Sequence, residues 1–266
     1  MRAELRRAFT SPGFWGAALV MFFCLQGYAL PVYLSQAHGI HSEPVALRES
    51  ALALSLGGIF FGGMILLLPF CSSLAYAGSQ VDDIRTGFLS LDLLRSSFQG
   101  YACRKVITAF VCAFAAAFGA FIAHASLWHL IAVPYDPVRY PNHEIPFWEE
   151  SYFHQWAQVA HGWPIILNIG FGLAFTSGVW SVVALAAAAW VPDKLLVCVI
   201  PACLNKLWSA NLAFYLFGVW LPSPDALFND AQTVTGDLRC LVAFAIVLAL
   251  AVMGYGAGLK RRAWHA

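Results

Sequence analysis

The chain has 266 residues, of which 60% are hydrophobic and only 11% charged, and its mean hydropathy is +0.69. Soluble domains carry about 25% charged residues, so this composition excludes an ordinary water-soluble domain and points to the bilayer as solvent. The net charge of +1 gives no electrostatic case for a nucleic-acid partner, and the positions of the 15 Lys and Arg carry more information than their sum.

In chain order, a short basic segment at 1–12 leads into six apolar runs, at 13–34, 52–75, 105–133, 163–190, 195–221 and 239–259. Each has roughly the 20 residues that cross the hydrocarbon core, with room for tilt. Only a helix satisfies its own backbone in lipid, so the runs predict helices. The expected fold is an all-α integral membrane protein with six transmembrane helices, forming one domain over 1–266.

The cations orient it. With the N-terminus inside, Arg2, Arg6, Arg7, Arg85, Arg95, Arg104, Lys105, Lys194, Lys260, Arg261 and Arg262 fall on inner segments, and only Arg48, Arg139 and Arg239 on outer ones. Both termini are therefore expected in the cytoplasm. The first run is too long for the h-region of a cleavable signal peptide. The seven cysteines form no CxxC pair and read as small buried hydrophobes rather than disulfides or metal ligands.

The outer loop at 134–162 is broken by prolines in its first half. Its Phe147, Trp148, Tyr152, Phe153 and Trp156 suit an amphipathic helix at the outer interface. The connector at 76–104 is a cytoplasmic loop rich in charge for so apolar a chain. In it Ile84, Phe88, Leu91, Phe98 and Tyr101 recur at helical spacing, and Leu89, Leu93 and Leu94 widen that side. Gly87 predicts a break between two short helical pieces. Asp82 and Asp83 sit near the start, where carboxylates suit the helix dipole, while Arg104 and Lys105 are placed at the water boundary of the third span. Two readings stand: an amphipathic loop lying on lipid headgroups, or a docking element for a cytoplasmic partner.

The run DDIRTGFLSLDLLRSSFQGYACRKV resembles the segment between the second and third membrane helices of type-2 ABC transporter permeases. In small bacterial six-helix members that segment commonly carries an acidic residue, Gly-Phe, an Arg, then Tyr and Lys entering the next helix. Here these are Asp83, Gly87, Phe88, Arg95, Tyr101 and Lys105, with Asp82, Arg85 and Leu91 beside them. The resemblance implies a coupling helix that fits a groove on an ATPase subunit, with Phe88 and Leu91 as anchors and Asp83 and Arg95 fixing register. It also implies a second permease, identical or related, and a bacterial plasma membrane location. The segment MRAELRRAFTSPGF resembles the amphipathic interface helix before the first span of these permeases. No GxxxxGK[ST] occurs, so no ATP cofactor is expected in this chain and hydrolysis would come from a separate subunit.

Lys206 stands near mid-membrane in the fifth run, about 17 Å from its inner end, where an unpaired Lys costs roughly 2.5–3.5 kcal/mol. With Asn205 and Asn211 it could line a transport path. Equally, the helix could end early, so that Lys206 meets the outer headgroups. Eight histidines, among them His38, His41, His143, His154 and His161 on the outer side, invite a metal, yet no HExxH or paired Cys/His motif is present. No GxSxG or Ser–His pairing points to an enzyme. The alternative to a transporter subunit is a polytopic scaffold or sensory module whose loop binds another partner.

Overall fold

The computed structural model describes residues 2–37, 51–60, 63–95, 97–132, 162–209 and 234–265. These are helical, with no strand among them: α1 Arg2–Phe9, α2 Pro12–Ala37, α3 Ala51–Phe60, α4 Met64–Arg85, α5 Phe88–Arg95, α6 Phe98–Ile131, α7 Trp163–Trp190, α8 Lys194–Ser209 and α9 Val234–His265. Among the described residues four segments are long and apolar enough to cross a membrane, at Pro12–Ser35, Phe98–Ile131, Trp163–Trp190 and Val242–Arg262.

The second expected run comes as two pieces. Gly63, the residue from which α4 starts, takes a left-handed φ of 73°, which an L side chain resists. Helix α4 then runs on through Asp82, Asp83 and Arg85, well past the expected end at 75. Helix α6 begins at Phe98, not at 105, because the Ser97 hydroxyl caps it by accepting the Gly100 N–H at 3.2 Å. The connector at 76–104 is thus helical over 76–85, 88–95 and 98–104, in keeping with the helical pieces that its spacing predicts, and the Thr86–Gly87 turn separates the first two. Gly87 does break the connector, at φ 72°. The fifth expected run is described only as far as Ser209, and the outer loop only at residue 162.

Helix α7 is the hub, flanked by α4, α6, α8 and α9, and most of its length is buried. Lipid gives helices little hydrophobic reason to associate, so close packing and small residues decide the contacts. Gly170 lies under the Phe121 ring and Gly178 under Phe110, so closely that a methyl group would sit 2.7 and 2.6 Å from ring carbons. The hydroxyls of Ser72 and Ser177 meet at 2.7 Å, and Ser177 also donates to the Ala113 carbonyl. On α2, Ala17, Met21, Leu25 and Ala29 recur every four residues and face inward, while Trp15, Leu19 and Phe23 face out.

Candidate functional site

The ends of α4, α6 and α9 meet α1 at one end of the bundle, and there the polar chemistry concentrates. Tyr76, Gln80 and Asp83 fall at i, i+4 and i+7 on α4 and so share a face. Tyr101 and Lys105 stand four apart on α6 and meet that face. Glu4 and Arg7 come from α1, and Tyr255 from α9.

Lys105 is 1% exposed, and its Nζ donates to Glu4 Oε1 at 2.5 Å, to Asp83 Oδ2 at 2.6 Å and to the Tyr76 hydroxyl at 3.1 Å. An ammonium has three donors, and these contacts use all of them. The Tyr76 hydroxyl in turn donates to Glu4. The Tyr76 and Tyr101 rings flank the ammonium, with centroids 5.4 and 5.7 Å from Nζ. Gln80 Oε1 accepts from both Tyr101 and Tyr255 at 3.1 Å. Arg7 reaches Asp83 from the rim at 3.4 Å. Two cations thus balance two carboxylates. Burial pushes the Glu4 carboxyl pKa up, but the bonds from Lys105 and Tyr76 and the nearby positive charges outweigh it and hold it below the ordinary value.

Weaker ties surround this core. Lys194 pairs with Asp82 at 2.7 Å, Arg85 donates to the Pro192 carbonyl at 2.7 Å, and Arg104 pairs with Asp92 at 3.2 Å. Arg262 donates to the Ala189 carbonyl at 2.6 Å. The connector is thereby linked to the α7–α8 junction and, through α6, to itself.

The residues singled out from sequence divide into two sets. Asp83, Tyr101 and Lys105 face inward and are essentially buried. The Asp83 carboxylate, expected to fix register on a partner, is 2% exposed and accepts from Lys105. Lys105 lies inside the bundle, where two carboxylates and two tyrosines replace its water. Asp82, Arg85, Phe88 and Leu91 lie at the surface, with Phe88 42% and Leu91 54% exposed. Gly87 forms the turn, and Arg95 ends α5. Leu89, between the two exposed anchors, is buried in the same apolar cluster as Tyr76, Tyr101 and Tyr255 and seats α5 on the bundle.

Sequence reasoning missed Glu4, Tyr76, Gln80 and Tyr255. The only signals were a single carboxylate in the basic segment MRAELRR and the helical spacing of Tyr76, Gln80 and Asp83. The second set of candidates also separates: Asn205 is 3% exposed, whereas Lys206 points outward. Asn211 and the outer-loop histidines lie outside the described residues. His124 is buried beside Gly58, and His129 packs on Trp163 with ring centroids 4.8 Å apart. Among the described residues no three His, Cys, Asp or Glu side chains converge as metal ligands.

The cluster's chemistry is positional. Its ammonium is saturated with acceptors, and the cage joins α1, α4 and α6 directly, with α9 held through Gln80. Comparison with protein-family models, with curated proteins and with solved structures finds no match for this chain.

Proposed function

We propose that the chain is the membrane-spanning permease subunit of an ATP-driven exporter of the type-2 ABC class. In this reading six spans place both termini in the cytoplasm of a bacterial cell, a second permease completes the path, and a separate ATPase docks on the connector. The observation that supports it best is the mounting of α5. Leu89 and the buried Lys105 cluster fasten the connector to the bundle, while Phe88 and Leu91, three residues apart on one helical face, are left exposed beside Arg85. A lever that transmits force needs a rigid root and an adhesive tip, and the connector has both. In this reading Asp83, Tyr101 and Lys105 serve coupling from inside, by holding the connector at a fixed angle.

The test is co-purification of the ATPase from membranes carrying Phe88→Ala. Truncating a central aromatic anchor often costs about 2 kcal/mol or more, which is about a thirtyfold loss of affinity. Insertion and yield of the permease should stay unchanged, because Phe88 packs on the surface. Equal recovery of the ATPase with mutant and wild type would remove the coupling reading and leave an amphipathic connector lying on headgroups.

A further inference from the structure

A cavity of about 590 Å³ opens between the α1–α2 elbow, α4 and the start of α8. That is within the roughly 300–1,000 Å³ of ordinary ligand clefts. Its composition is graded along one direction. Arg7, Asp82 and Lys194 stand at one end, and Phe70, Leu74 and Leu195 line the wall. On α4, Phe70 is 12 residues from Asp82, about 18 Å along the helix axis. A charged rim that far from the apolar end of the floor matches an amphiphile with a polar head and an apolar chain.

The rim carries two cations with donors to spare. Arg7 and Lys194 are both half exposed, and each already contacts one carboxylate, Asp83 at 3.4 Å and Asp82 at 2.7 Å. Neither contact consumes the donors of its cation, since guanidinium has five N–H and ammonium three. Asp82 lies in the same rim, so the site is not a strongly positive patch that would collect any anion. We infer that this cavity holds one glycerophospholipid, its phosphate bridging Arg7 and Lys194 and an acyl chain running inward past Leu74 and Phe70. The inference needs only this end of the bundle to lie at a leaflet surface. It is independent of ATPase docking and of the exporter reading.

Native mass spectrometry of the detergent-purified chain tests it with three probes: dioleoylphosphatidylethanolamine, dioleoylglycerol with the same chains and no phosphate, and inorganic phosphate. The expected result is one phosphatidylethanolamine retained per chain, about tenfold more tightly than dioleoylglycerol, as one charge-assisted hydrogen bond accounts for a factor of that size. Millimolar inorganic phosphate should not displace it. Arg7→Gln with Lys194→Gln should erase the preference over dioleoylglycerol. Leu74→Trp, which fills the floor and leaves the rim charges in place, should reduce retention of both lipids. Equal retention of dioleoylglycerol by the wild type would mean an apolar groove without a headgroup site, and displacement by inorganic phosphate would mean a free-anion site. Either result overturns the proposal, as does unchanged retention in the Leu74→Trp variant.

Discussion

Replacing Lys105 with Met removes one charge from a closed cage and leaves two carboxylates facing each other. Glu4 and Asp83 sit 2.5 and 2.6 Å from Nζ, and Asp83 is only 2% exposed, so water cannot readily take the place of the lost ammonium. Removing one partner of a buried ion pair costs about 3–5 kcal/mol, chiefly through the charge left behind. The assay is equilibrium unfolding of the purified chain in mixed micelles of rising denaturing-detergent content. A second variant separates charge from packing. Glu4→Gln with Asp83→Asn in the Lys105→Met background removes the stranded carboxylates, and exchanging a whole buried ionic group for neutral residues is often close to neutral. The triple variant should therefore recover most of the loss. A single-variant loss below about 1 kcal/mol, the range of an exposed pair, would refute the buried cage. A triple variant no more stable than the single one would show that Lys105 matters by its volume and not by its charge.

Three further outcomes follow from the same geometry. The Glu4 carboxyl has its folded pKa below the ordinary 4.5, so its contribution is complete above that value and is lost as pH falls through the lower folded one. A fluorophore on α1 should report an acid step below pH 4.5 that Glu4→Gln abolishes. Gly13→Ala would place a methyl group 2.6 Å from the Leu74 carbonyl oxygen, and a backbone atom on a packed helix cannot give way cheaply. It should cost about 1–3 kcal/mol in the same unfolding assay. Gly87→Ala meets open space but sits at φ 72°, so its expected cost is only the backbone's, about 1–2 kcal/mol.

Helical class was legible in the sequence because hydropathy is a local property. A run such as 163–190 is apolar throughout, and only a helix can carry such a run through lipid. The first, third, fourth and sixth runs each contain or overlap one of the four long apolar helices. The ends were less legible. They depend on caps and single φ values, and nothing in the composition says that Ser97 caps α6 well before Lys105, or that Gly63 caps α4. The turn at Gly87 was readable because glycine is the residue that a left-handed turn selects.

The polar core was not readable in the same way. Spacing placed Asp83, Tyr101 and Lys105 on a helical connector and suggested a surface, since charged residues outside apolar runs normally meet water. Their direction was decided by residues far off in the chain: Glu4 lies 101 positions from Lys105, and Tyr255 lies 175 from Gln80. An ion goes inside only where opposite charge and hydrogen bonds replace its hydration. That condition belongs to the assembled helices. Sequence alone determined that the chain is helical, apolar and charged at this connector, because each of those follows from neighbouring residues. Tertiary structure alone decided which charges hold the bundle together and which side chains of the connector, Phe88 and Leu91 among them, stay exposed.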